Sequence, residues 1–274
     1  MFKMKKMSFK YAVLLGAAIA ITGCEDEFDN PVSEPGFYTA GEADFTKFVA
    51  VGNSLTAGFA DNALYLDGQL NSFPNILAQQ FALAGGGEFN QPLVNDNAGG
   101  LLLNGQQIVS NRFVLAQSAG GDLGPALYTG MTPTTDVANK FTGPINNFGI
   151  PGAKSFHLAA PGYGSLAGVA NFTANPYFAR ISSSESATII GDASAANGTF
   201  FSLWIGNNDV LSFATSGGVG VDQAGNLDPS TYGFNDITDP QVFASVYSGY
   251  VQALTANGAK GVLANIPNVT SIPY

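Results

Sequence analysis

Four short apolar runs, three of them closed by a polar turn, constrain this 274-residue chain more than anything else in it. Phe45 to Val51 runs into Gly52-Asn53-Ser54, Asn146 to Ile150 into Pro151-Gly152, and Thr199 to Ile205 into Gly206-Asn207-Asn208-Asp209; Gly261 to Ile266 is the fourth. Their aromatic and β-branched residues predict buried strands. Helical segments separate them. Ser72 and Pro74 open one that runs to about Ala84, a second is expected over 153–160, and the clearest spans Asp239 to Asn257. In the last, Asp239 caps, Pro240 takes the first helical position, and Val242, Phe243, Val246, Tyr247, Tyr250 and Leu254 form one stripe before Gly258. Strand and helix in alternation imply crossover connections and a mostly parallel sheet covered on both faces, an α/β fold.

The stretch 86–144 interrupts this alternation. It is rich in Gly, Asn and Gln, and is read as an insertion too polar to build a core of its own. Within it, Asn104-Gly105 between Leu101–Leu103 and Gln106–Val109 predicts a hairpin. Its apolar residues Phe89, Leu93, Leu101 to Leu103 and Phe113 fit either a lid over a site or plain packing over a sheet edge. Apolar residues make up 46% of the chain and Phe alone contributes 21, which excludes disorder. One Cys and one His exclude a disulfide framework and a structural zinc site. No glycine-rich phosphate loop or metal constellation is visible, so no cofactor is implied.

Charge separates the amino terminus from the rest. Lys3, Lys5, Lys6 and Lys10 precede the first acid, Glu25, and an apolar run from Tyr11 to Thr22 follows them. A basic start and a short apolar run ending in small residues describe a secretory signal, and twelve residues fall short of the roughly 20 a membrane span needs. Ile21-Thr22-Gly23-Cys24 resembles a bacterial lipobox, which implies that Cys24 is lipidated and becomes the first mature residue. Loss of residues 1–23 would leave six basic against twenty acidic residues, a net charge of −14. The acidic, proline-bearing stretch 24–44 reads as a solvated tether, and resembles the export signal of surface lipoproteins in Bacteroidetes-type bacteria. The expected location is the cell envelope, anchored to the outer membrane through Cys24. A chain this acidic repels phosphate backbones, so nucleic acid is excluded as a partner. The folded domain is expected over 45–274.

In open α/β sheets ligands bind beyond the carboxyl ends of the strands, where the three glycine-bearing turns would meet. They would bring together a hydroxyl (Ser54), a closely approachable main-chain amide (Gly152) and a carboxamide (Asn208). A nucleophile with fixed donors aimed at one point is what acyl transfer requires, because charge develops on the carbonyl oxygen. Gly52-Asn53-Ser54-Leu55-Thr56, Phe148-Gly149-Ile150-Pro151-Gly152 and Gly206-Asn207-Asn208-Asp209 resemble three sequence blocks of the SGNH hydrolases, also called GDSL esterases and lipases. The resemblance covers roughly 45–274. It implies a flavodoxin-like three-layer α/β/α fold, Ser54 as nucleophile, and an oxyanion hole made by the Ser54 and Gly152 amides with the Asn208 side chain.

Two features depart from that family. Asn53 stands where Asp is usual, at a position that supports the turn. The C-terminal Asp-x-x-His block, source of the base, has no counterpart. His157, the one histidine, is read as a partly exposed helix residue, and the chain is expected to be a fragment that stops before its base. Trp204 reads as core, while Asp209 either orients the Asn208 loop or is a solvated carboxylate. Two functions follow: a lipid-anchored serine esterase acting on acyl lipids or acetylated glycans, or a non-catalytic lipoprotein that binds glycan or lipid with the same fold.

Overall fold

The first strand, β1 (Phe48–Gly52), is buried at all five positions, a pattern that suits a central strand of a parallel sheet. The computed structural model describes residues 37–269; the expected leader, Cys24 and the tether as far as residue 36 lie outside them. After β1 come three helices, α1 (Ser54–Ala57), α2 (Leu66–Leu70) and α3 (Phe73–Leu83). Two hairpins follow, β2 (Leu101–Leu103) with β3 (Gln106–Val109), and β4 (Phe113–Gln117) with β5 (Leu123–Leu127). Then come β6 (Asn147–Gly149), a 3-10 turn over Ser155–Ala159, α4 (Leu166–Ala170), α5 (Pro176–Ala179) and α6 (Ile189–Ala195). The remaining elements are β7 (Phe200–Trp204), α7 (Asn208–Thr215), a 3-10 turn over Pro229–Thr231, α8 (Pro240–Thr255) and β8 (Lys260–Leu263).

The central sheet has the order β6-β1-β7-β8, and every pairing is parallel. Alternation along β1 serves two cores. Val49 and Val51 pack with Leu203, Ile189, Tyr250 and Leu254, so α6 and α8 cover that face. Phe48 and Ala50 pack with Ala78 and Phe200, so α3 covers the other. Full burial of a Val or Leu side chain is worth about 1.5–3 kcal/mol, and Val49, Val51, Leu203 and Ile205 are all at most 1% exposed. The result is an α/β fold with a parallel sheet between helices, compatible with three layers. β8 forms one edge and is exposed at all four positions.

Local chemistry accounts for the elements that follow expectation. Asp239 caps α8, its carboxylate accepting from Gln241 N at 2.7 Å and Val242 N at 3.0 Å, and Gly258 sits just past the helix at φ 79°. Asn104 (φ 52°) and Gly105 (φ 78°) make the turn between β2 and β3, where both central residues need positive φ.

Other expectations need correction. The segment after Gly152 forms a 3-10 turn, not the helix expected over 153–160, because the groups of Ser155 are taken by distant partners. Its N–H donates to Asp209 Oδ2 and its carbonyl accepts from the Tyr250 hydroxyl at 2.7 Å. Ser72 precedes α3 without capping it; its hydroxyl donates to Gln91 Oε1 instead. The fourth strand begins one residue early and stops at Leu263. The insertion also does more than overlie the sheet. Val94, Leu101 and Val137 share a core cluster with Ala57, Leu64, Val169 and Ala179. Leu101 is fully buried and Phe89 stacks on Phe48 at 5.2 Å, which is the packing alternative; Phe113 lies on the exposed side of the β4–β5 hairpin.

Candidate active site

Strand register brings the turns together. Gly52, the last residue of β1, pairs with Gly149 on one side and Trp204 on the other, so three strands end level with β1 in the middle. Neighbouring strands lie about 4.8 Å apart. Ser54 therefore leaves the sheet between the turns that carry Gly152 and Asn208.

Close packing explains the glycines. A Cβ on Gly52 would lie 2.1 Å from Thr56 Oγ1 and 2.4 Å from Trp204 O, so no larger residue fits between α1 and β7. A Cβ on Gly149 would lie 2.2 Å from Ala57 N, which means α1 rests directly on β6. Asn53 is 1% exposed and caps α1, its Oδ1 accepting from Leu55 N at 3.2 Å. The turn-supporting role expected at this position is met by a carboxamide in place of a carboxylate. Ser54 follows as the first residue of α1 and is partly exposed. Its hydroxyl and amide have no hydrogen-bond partner among the described residues.

Gly152 is exposed, with φ 80°, a conformation that favours glycine. Its N–H is likewise unengaged among the described residues. Asn175 holds this turn from below: Nδ2 donates to Pro151 O at 2.8 Å while Oδ1 accepts from Tyr177 N and Phe178 N to cap α5. From the third turn, Asn208 Nδ2 donates to Ala153 O at 2.8 Å. One of its two N–H groups is thus engaged and the other remains for a ligand.

Asp209 is the residue the sequence left undecided, and the structure removes the solvated alternative. It is 3% exposed, and its two oxygens accept from Ser155 N at 2.8 Å and Ser155 Oγ at 2.5 Å. Burial raises its carboxyl above the usual range, against the pull of those hydrogen bonds. Asn208 and Asp209 together clamp residues 153 and 155 of the neighbouring turn. Lys154 between them is 2% exposed, its ammonium donating to Asp236 O at 2.5 Å. Burial pushes that ammonium below its ordinary range, with Asp209 and Asp236 opposing.

His157 is not a helix residue but part of the 3-10 turn. Its Nδ1 accepts from Lys154 N at 3.0 Å, and its ring stacks on Tyr163 with centroids 4.4 Å apart and planes at 9°. Burial, with Lys154 nearby, pulls its pKa down to about 4. The imidazole is therefore neutral at pH 7 and held by its own turn. Trp204 is only partly buried; its ring lies 5.4 Å from that of Phe73 and its Nε1 has no partner among the described residues.

Two clefts lie near these turns, neither of them lined by Ser54 or Asn208. One of about 950 Å³ begins at Gly152 and runs past Phe156, His157, Tyr163, Tyr232 and Phe234. The other, of about 440 Å³, is lined by Leu55, Tyr65, Phe73 and Trp204. A third cleft of about 490 Å³ is lined only by residues of the insertion. Among the described residues no group of three or more His, Cys, Asp or Glu side chains is arranged to hold a metal ion, and no helix is long and apolar enough to cross a membrane. Comparison with protein families, curated proteins and solved structures finds no match to this chain.

Proposed function

We propose that this chain carries the nucleophile and oxyanion hole of a serine esterase of SGNH type, built on a flavodoxin-like three-layer fold. Ser54 Oγ would attack an ester carbonyl, forming an acyl-enzyme and releasing the alcohol. The amides of Ser54 and Gly152 and the second N–H of Asn208 would receive the developing oxyanion. Each such donor is worth about 2.7–4 kcal/mol of barrier. The observation that carries this reading is the level ending of β1, β6 and β7, together with the hydrogen bond from Asn208 Nδ2 to Ala153 O. Through Cys24 the protein would be lipid-anchored to the outer membrane, with an ester of an acyl lipid or an acetylated glycan as substrate.

The alternative is a non-catalytic binding protein with the same fold, favoured if the protein as expressed from its gene carries no Asp-x-x-His block. His157 is stacked on Tyr163 and its Nδ1 accepts from Lys154 N, which leaves the proton of the neutral ring on Nε2 and no free lone pair for the Ser54 hydroxyl. Incubation of the protein, as expressed from its gene, with an alkyl fluorophosphonate separates the two. Labelling that disappears in Ser54→Ala supports the esterase, and no labelling at all supports the binder. Turnover of 4-nitrophenyl acetate that is abolished by His157→Ala would overturn the assignment of His157 as a bystander. Incorporation of radiolabelled palmitate, lost in Cys24→Ala, tests the anchor.

A further inference from the structure

The cleft that begins at Gly152 has the size of a ligand site, about 950 Å³ where such sites run to roughly 300–1,000 Å³. Five aromatic rings stand in its walls. Phe156 meets Tyr232 edge-on with centroids 5.6 Å apart, His157 lies flat on Tyr163, and Phe234 stands 77% exposed at the rim. Val246 of α8 completes the lining.

The polar side chains of this lining decide what it accepts, and the structure already engages most of them internally, leaving only the Tyr163 O–H and the His157 Nε2–H without a partner among the described residues. Ser230 Oγ donates to Asp228 at 2.6 Å and Thr173 Oγ1 to Gly168 O at 3.3 Å. The Tyr232 hydroxyl donates to Asn226 O, and the Tyr163 hydroxyl accepts from Asn175 Nδ2 at 3.1 Å. Lys154 Nζ is bonded to Asp236 O, and His157 Nδ1 to Lys154 N. A glycan site reserves side chains for sugar hydroxyls, and a site that leaves buried polar groups unmatched loses affinity. Here the side chains serve the fold. An anionic ligand fares no better: the one ammonium in the lining is buried between Asp209 and Asp236, and the imidazole is neutral at pH 7.

We infer that this cleft binds an uncharged apolar chain, the alkyl or acyl arm of an ester, and not a sugar. The inference rests on the proposed function only in taking the Gly152 amide as the point where the ester carbonyl sits. From there the arm would run along the Phe156–Tyr232 pair toward Phe234. Burial of each methylene raises affinity about fourfold.

Dansyl amides of butylamine and octylamine, titrated into the full chain and followed by fluorescence, test this without any chemistry at Ser54. Affinity is expected to rise at least 100-fold from butyl to octyl. Val246→Asp, which sets a carboxylate against the chain, should weaken octyl binding at least tenfold. Phe234→Ser, at an exposed rim position that the fold does not need, should weaken it several-fold. Equal affinity for both amides, or octyl binding unaffected by both variants, would overturn the inference, as would saturable binding of an acetylated xylo-oligosaccharide with no binding of the octyl probe. Octyl binding that responds to Val246→Asp, with no fluorophosphonate labelling of the protein as expressed from its gene, would uphold the cleft and refute the esterase. Labelling at Ser54 without chain-length dependence would do the reverse.

Discussion

Gly149→Ala tests whether the nucleophile is positioned by the direct contact of α1 with β6. The new methyl would lie 2.2 Å from Ala57 N, 2.5 Å from Thr56 C and 2.7 Å from Ala57 Cα, where ordinary contact begins at 3.4 Å. All three atoms are backbone, so no side chain can swing aside. β6 cannot retreat easily either, because Asn147 Nδ2 donates to Thr56 O at 2.9 Å and Asn146 Nδ2 to Phe48 O at 2.8 Å. The helix must lift by more than 1 Å, and Ser54 is its first residue. Overpacking of this kind costs about 3 kcal/mol, and the stiffer unfolded chain returns about 0.4–1. A net loss of about 2 kcal/mol lowers Tm by about 4–8 °C for a domain of this size. A displacement of that order at a nucleophile costs about 100-fold in rate. Thermal unfolding by circular dichroism reads the first quantity, and the rate of fluorophosphonate labelling of Ser54 the second. Gly124→Ala is the control: it lies on exposed β5 with nothing within 4 Å of its added methyl, and should leave both unchanged. A Gly149→Ala protein with unaltered Tm and labelling rate would refute the idea that this contact sets the position of Ser54.

Three further outcomes are expected. His157 has a folded pKa of about 4 against 6.5 when unfolded, so between those values the unfolded chain binds more protons and stability falls as pH drops, by about 3 kcal/mol in all. Urea unfolding at pH 7 and pH 4 should show this acid-side loss shrinking by about that amount in His157→Gln; an identical loss in both proteins would disprove the assignment. Asp209→Ala leaves Ser155 N–H and Oγ buried without their acceptor, and should lower stability by about 3 kcal/mol and slow labelling of Ser54 by loosening the Gly152 turn. A drop in stability with full labelling would confine Asp209 to the fold. Phe172 stands in the left-handed region at φ 58° with 92% of its surface exposed, so it carries about 1–2 kcal/mol of strain and buries almost nothing. Phe172→Gly should raise stability by about 0.5–1 kcal/mol, and a lower Tm would mean that the ring has a partner in solution.

What could be read from the sequence was local. The α8 cap at Asp239 and its stop at Gly258 lie within one turn of the helix they bound, and Asn104-Gly105 carries its own turn preference. The parallel sheet was legible because strands buried on both faces are apolar throughout, as in Phe48-Val49-Ala50-Val51. The β4–β5 hairpin escaped notice for the opposite reason. Its Phe113, Leu115, Leu123 and Leu127 face solvent, so there is no apolar-in, polar-out alternation to detect.

The site divides along the same line. Ser54, Gly152 and Asn208 stand out in sequence because each follows a strand directly. Asp209 and Asn175 fix the same turns, but their partners are 54 and 24 residues away, and nothing near either residue signals them. Distant partners also convert the expected helix after Gly152 into a 3-10 turn, since Asp209 and Tyr250 claim the groups of Ser155 that would begin it. That conversion has a consequence for the cleft. With Ser155 fixed from both sides, the short turn carries Phe156 and His157 out to line the cavity while Leu158 stays fully buried. The carboxylate that ties the third turn to the second therefore also sets the wall of the cleft. On this account Asp209→Ala should disturb octyl-probe binding as well as Ser54 labelling, whereas Gly149→Ala, acting only through α1, should spare the probe.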